Sequence, residues 1–180
     1  MNTYIALFRG INVGGNNPLP MKGLVTLLEQ LGLKEVRTYI QSGNVVFDTA
    51  RAEPNAVAGD IRQAIAARYG FAPQVLILEA RELEQAMAGN PYPEGDADPK
   101  SVHLTFLDAV PSHPDLETLA ALRKSSERFT LQDKVFYLHA PEGIGRSKLA
   151  ARVEKCLGVP GTARNWRSVC RIAELARQGR

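Results

Sequence analysis

Within the first eighty residues, short apolar runs and leucine-spaced helical segments follow one order, β-α-β-β-α-β, which few folds accommodate. Thr3–Phe8 reads as a strand, short and apolar, closed by Arg9-Gly10. Pro20-Met21 opens a helix that sets Leu24, Leu27, Leu28 and Leu31 on one face, and Gly32 stops it. Val36–Gln41 and Asn44–Asp48 are two strands joined by a hairpin turn at Ser42-Gly43. A second helix from Pro54 to Tyr69 holds Val57, Ile61, Ile65 and Arg68 in register, Gly70 ends it, and Gln74–Leu78 is a fourth strand. This order predicts a ferredoxin-like unit, an antiparallel sheet with two helices on one face.

The second half echoes the order without repeating the sequence. Glu79–Gly89 reads as helix, and Asn90-Pro91-Tyr92-Pro93-Glu94-Gly95 as loop, because its prolines and glycine cannot continue a helix. Val102–Leu107 is a strand, Pro114–Lys124 a helix, and Phe129–Leu131 and Val135–His139 two strands around Gln132-Asp133-Lys134. Gly143–Gly145 leads into a helix through Leu157, and Trp166–Arg177 is the last helix, with Trp166, Val169, Cys170 and Ala173 on its apolar face. The expected class is therefore α+β with two subdomains. Residues 1–80 form the ferredoxin-like one, and residues 81–180 a related β-α-β-β unit with additional basic C-terminal helices.

An apolar fraction of 44% and a charged fraction of 23% are those of an ordinary water-soluble domain. No apolar run approaches the ~20 residues of a membrane span, and Arg9 interrupts the first strand, so neither a span nor a leader is expected. Cys156 and Cys170 fall on apolar helix positions, which reads as two buried thiols of a reducing, cytoplasmic protein. The net charge of +3 conceals an asymmetry. From Ile144 on there are nine basic and two acidic residues, against thirteen basic and seventeen acidic before it. A basic final stretch suits an acidic partner such as a phosphate, a nucleotide or a nucleic acid, or else a solvated helix face.

Four segments could carry chemistry. Arg9-Gly10-Ile11-Asn12-Val13-Gly14-Gly15-Asn16-Asn17 has the glycine spacing of a phosphate loop, but Asn16-Asn17 stand where Lys-Ser/Thr would be required, which excludes a Walker-type NTPase. What remains is a set of amides at Asn12, Gly14, Gly15 and Asn16 with Arg9 as an anion fork, or a loop whose glycines only serve positive φ angles. Ser42 and Asn44 supply donors at a turn that also needs its Gly and Asn for geometry. In Gly143-Ile144-Gly145-Arg146-Ser147-Lys148, Ser147 is placed to cap the following helix. Arg146 and Lys148 then oppose the helix dipole unless an anion binds there. Thr162–Ser168 opens the last helix with Asn165 as its cap, and Arg164, Arg167 and Arg171 are spaced to share a face, free to meet phosphates or Glu174.

Catalytic groups are sparse. There is no carboxylate pair, metal-ligand spacing or G-x-S-x-G elbow, and of His103, His113 and His139 only His139, at a strand end beside the Gly143–Lys148 turn, is a candidate acid or base. The cofactor is unknown, and whether the chain is an enzyme stays open.

The segments Arg9–Gly15, Pro20-Met21, Val36–Phe47, Asn90–Pro93, Gly143–Leu149 and Thr162–Trp166 together resemble the DUF1697-type family, bacterial proteins grouped as a domain of unknown function. The resemblance implies two α+β subdomains, the first ferredoxin-like, and carries no substrate, reaction or catalytic residue. One departure is Asn17-Pro18, where that pattern carries a basic residue ahead of Pro-Met. The functional expectation is binding of, or catalysis on, a phosphorylated small molecule or nucleotide where the two subdomains meet. The residues involved would be Arg9, Asn12, Gly14, Gly15, Asn16, Ser42, Asn44, Arg146, Ser147, Lys148, Arg164 and Asn165. Two alternatives compete with it: a nucleic-acid-binding module using the basic C-terminal third, and a protein-interaction scaffold pairing through a sheet edge.

Overall fold

The structure, a computed structural model, describes residues 1–179. Its elements run β1 (Asn2–Arg9), α1 (Met21–Gln30), β2 (Lys34–Tyr39), β3 (Asn44–Thr49), α2 (Pro54–Tyr69), β4 (Gln74–Glu79) and α3 (Ala80–Ala88). They continue with α4 (Glu94–Ala97), β5 (Val102–Leu107), α5 (Leu116–Leu122), β6 (Arg128–Gln132), β7 (Val135–His139), α6 (Lys148–Leu157), β8 (Gly161–Asn165) and α7 (Trp166–Arg177). Contacts divide the chain into two units: Met1–Gln85 joined by the chain from Cys170 onward, and Ala86–Val169.

In the first unit the strands lie in the order β2-β3-β1-β4, antiparallel throughout. This is the arrangement that β-α-β-β-α-β connectivity produces when both helices cross one face. Alternation along β1 turns Tyr4, Ala6 and Phe8 toward that face, opposite Phe47 and Val45 of β3. The leucines predicted for α1 and Val57, Ile61 and Ile65 of α2 complete the core. Gly70 ends α2 in the left-handed conformation, as the sequence indicates.

The second unit has the same strand order, β6-β7-β5-β8. Its core joins Leu107, Phe136 and Leu138 of the sheet to Leu119 of α5 and Leu149, Val153, Cys156 and Leu157 of α6, with the Phe129 and Phe136 rings stacked 5.6 Å apart. Here the structure adds a strand to the sequence reading. Residues Gly161–Asn165, expected as the turn opening the last helix, form β8 and pair with β5 from Leu107↔Gly161 to His103↔Asn165. The unit is thereby a complete second ferredoxin-like β-α-β-β-α-β. The change also corrects the arginine reading: Arg164 sits on a strand, so it does not share a helix face with Arg167 and Arg171. Arg171 instead pairs with Glu174 at 2.7 Å. Cys170 is half-buried rather than buried, and neither cysteine is in a disulfide. Among the described residues no helix is long and apolar enough to cross a membrane.

Candidate functional site

The segment after β1 is a miniature hairpin. Asn12 N–H donates to Asn17 O (3.1 Å), Asn16 N–H donates to Val13 O (2.9 Å), and Gly14 and Gly15 hold φ of +57° and +76° at its tip. Two consecutive left-handed residues make the primed hairpin turn, which explains both glycines without a ligand. Three more residues, Pro18-Leu19-Pro20, intervene before α1, so these amides do not lie at a helix N-terminus. The asparagines are staples. Asn12 Nδ2 donates to Leu19 O and Gln41 O (2.9 and 2.8 Å) while its Oδ1 accepts from Leu19 N (2.7 Å), and Asn17 Nδ2 donates to Gly10 O (3.0 Å).

Asn12 therefore brings together the first two predicted segments, within the first unit. In the β2–β3 turn Asn44 is buried, and its Nδ2 donates to Tyr39 O (3.0 Å) and reaches Ser42 Oγ (3.4 Å). Gly43 O accepts from Phe8 N (2.9 Å). Arg9 lies at the edge of this cluster, its Nη1 3.3 Å from Gln74 Oε1. Gly14, Gly15 and Asn16 are the exposed tip.

The other predicted residues lie in the second unit. Ser147 is the N-cap of α6: its backbone is extended, and its buried Oγ accepts from Ala150 N at 3.1 Å. The first turn of α6 holds no acidic residue, and Arg146 and Lys148 on either side of the cap are exposed and form no ion pair among the described residues. Asn165 caps α7, its Oδ1 accepting from Ser168 N at 2.9 Å. Arg164 is largely withdrawn from water, which lowers its pKa to about 10, and its Nη1 donates to Ala163 O (2.8 Å).

A third cluster was legible only as the single candidate His139. Arg128 on the edge strand β6 pairs with Glu94 of α4 and donates to His139 Nδ1 at 3.2 Å, so that nitrogen is the unprotonated acceptor. The guanidinium lies 5.0 Å over the Tyr92 ring, which stacks on the His139 imidazole with centroids 6.0 Å apart. Tyr92 Oη and Thr130 Oγ1 share a hydrogen bond of 2.7 Å. Burial pushes the Tyr92 hydroxyl above its ordinary pKa, whereas a backbone hydrogen bond, followed by Arg128, holds the Glu94 carboxyl below its own. The loop Asn90-Pro91-Tyr92-Pro93 buries its aromatic residue beneath an ion pair. Glu94, Arg128 and His139 form an acid–cation–imidazole row whose histidine is 9% exposed. The row orients the imidazole and shields it. Among the described residues no three His, Cys, Asp or Glu side chains gather as a metal site.

His103 is titratable and unused by these clusters. Burial depresses its pKa, and its Nδ1 is enclosed without a partner. A folded-state pKa below the unfolded value of about 6.5 means that the unfolded chain binds more protons in the interval. Stability should therefore fall as pH drops below about 6.5 toward the depressed value, at no more than about 1.4 kcal/mol per pH unit from this group. Urea unfolding at pH 5 and 7.5 should show a smaller difference for His103→Leu than for the unaltered protein. An unchanged difference would place the pH dependence elsewhere.

A family model described as "Protein of unknown function (DUF1697)" matches residues 1–137. The chain belongs to this family. Among solved structures, the conserved bacterial protein SP0830 from Streptococcus pneumoniae is similar to it with a TM-score of 0.71 and 23% identity, over 97% of this chain and 98% of that one. Similarity at that identity establishes the shared fold. No curated protein matches. The residues that match the DUF1697 model end inside β7, so the α6 cap, β8 and α7 lie beyond them.

Proposed function

We propose that this DUF1697 protein binds a phosphate-bearing small molecule or nucleotide in its second unit, at the N-terminus of α6. One observation carries the reading: Arg146 and Lys148 flank the Ser147 cap at the positive end of the helix, with no carboxylate in the first turn and no ion-pair partner among the described residues. Each cation there works against the helix dipole by roughly 0.3–1 kcal/mol, an arrangement that a bound anion reverses. Ser147 Oγ satisfies Ala150 N, and the amide of Lys148, the first residue of the helix, has no intrahelical acceptor to compete with a ligand oxygen. The first-unit hairpin supports the reading less well, because the side chains of Asn12 and Asn17 are spent on holding the loop closed.

The test is a thermal-shift screen with nucleotides, sugar phosphates and inorganic pyrophosphate at millimolar concentration. A ligand at ten times its Kd adds about 1.4 kcal/mol, which raises Tm by roughly 3–5 °C in a chain of this size. The double substitution Arg146→Ala with Lys148→Ala should abolish that shift while leaving the ligand-free Tm unchanged or raised by a few degrees, since both side chains are exposed and each opposes the dipole. If no compound raises Tm, or if the double variant responds like the unaltered protein, the reading falls.

A further inference from the structure

The outward face of α6 carries more positive charge than one phosphate requires. Leu149, Val153, Cys156 and Leu157 turn inward to the second-unit core, and Lys148, Ala151, Arg152 and Lys155 are exposed. Lys148, Arg152 and Lys155 stand at i, i+4 and i+7, which aligns them within one narrow stripe about 10 Å long, and Arg146 extends it past the cap. Like charges at these spacings repel one another. Among the described residues none of the four forms an ion pair, and the one acid of the helix, Glu154, turns its Oε1 to Gly161 N at 2.9 Å. Asp115, whose N–H reaches Cys156 O from the start of α5, has its carboxylate occupied by Thr118 N and Oγ1.

From this stripe we infer a docking surface for the sugar–phosphate backbone of duplex nucleic acid. The inference rests on the phosphate reading of the α6 N-terminus and extends it from one phosphate to a row of them. Charge complementarity selects a polyanion, since three cations in a line on α6, with Arg146 beside the cap, match regularly spaced phosphates. A protein partner would need an apolar anchor among the charges; along α6 the stripe offers only Ala151, and the exposed Ile144 lies off the helix, beyond Arg146. A membrane surface would be gripped by an inserted apolar face, and that of α6 is already enclosed in the core. Single strands are held by stacking on exposed aromatic rings, and no aromatic residue is exposed among the described residues. What remains is contact with the backbone alone, blind to base sequence.

Fluorescence anisotropy of labelled 20-base-pair DNA and RNA duplexes between 50 and 200 mM salt tests this surface. Three or four phosphate contacts give a slope of log K against log salt of about −3 to −4, so affinity should weaken roughly hundredfold over that range, and alike for the two duplexes. Arg152→Gln with Lys155→Gln, exposed and away from the cap, should flatten the slope by about two while preserving the nucleotide-induced Tm shift. Absence of binding at 50 mM salt, a slope shallower than about −1, or an unaltered slope in the double variant overturns the inference. So does sedimentation with phosphatidylserine vesicles in place of duplex binding. If duplex binding fails while the nucleotide shift persists, only this inference falls; if both fail, the phosphate reading falls with it.

Discussion

Replacing Gly43 by alanine should destabilise the first unit by about 2–5 kcal/mol, read as a lower urea midpoint with an unchanged slope. Two causes add. Gly43 holds φ at +85°, where an L-residue bears roughly 1–2 kcal/mol of strain. A Cβ there would stand 2.6 Å from Phe8 Cβ and 2.7 Å from Ile11 Cδ1. Phe8 Cβ is fixed to the backbone of β1, whose amide already donates to Gly43 O, so it cannot rotate aside. Both neighbours belong to the enclosed core, where overpacking costs about 1–3 kcal/mol. Gly32 separates the causes: its φ is +83°, and nothing lies within 4 Å of the position of its Cβ. Gly32→Ala should show the conformational cost alone. Equal losses in the two variants would mean that the β2–β3 turn does not press against β1.

What could be read in the sequence follows how local its cause is. The leucines of α1 and the Val57–Ile65 register of α2 lie at helical spacing, and the order of strands between them leaves the ferredoxin-like sheet as the arrangement that buries all their apolar faces. Ser147 and Asn165 were recognisable as caps because a cap is a residue type at a helix start. β8 escaped notice because Gly-Thr-Ala-Arg-Asn has little apolar alternation; it is a strand because β5 offers it a free edge almost sixty residues away. The Tyr92–Glu94–Arg128–His139 cluster was hidden for the same reason. Its members come from the Asn90–Pro93 loop, α4, β6 and β7, and the prolines around Tyr92 signal a turn without saying that the ring between them is enclosed. The Arg9–Asn17 segment fell between these cases. Its glycines suited an anion loop and a tight turn equally, and the distinction lay in where two asparagine side chains point.

The second large effect falls on one of those asparagines. Asn12→Ala should cost about 2–4 kcal/mol, because it strands the N–H and C=O of Leu19 and the C=O of Gln41 and places alanine at φ +53°, which asparagine tolerates better. Leu19 is fully enclosed, so water reaches its amide poorly once the partner is gone. The sharper test is Asn12→Asp, which keeps the acceptor for Leu19 N but turns two donated hydrogen bonds into a carboxylate facing two carbonyl oxygens. The charged form is then disfavoured in the fold, and the introduced carboxyl titrates above its unfolded value of about 3.9. Below that value both states are protonated and the hydroxyl can donate to one of the carbonyls. As pH rises through the interval the unfolded chain releases its proton first, so stability declines and the full loss is present above the folded pKa. Asn12→Asp should accordingly be at least as unstable as Asn12→Ala at pH 7 and recover toward pH 4, whereas Asn12→Ala should not. Hydrogen exchange at the Leu19 amide reports the same staple directly: in both variants at pH 7 its protection should fall well below that of the neighbouring β1 amides. Undiminished protection would mean that the loop is held by its backbone turn, leaving the Asn12 side chain available for another partner.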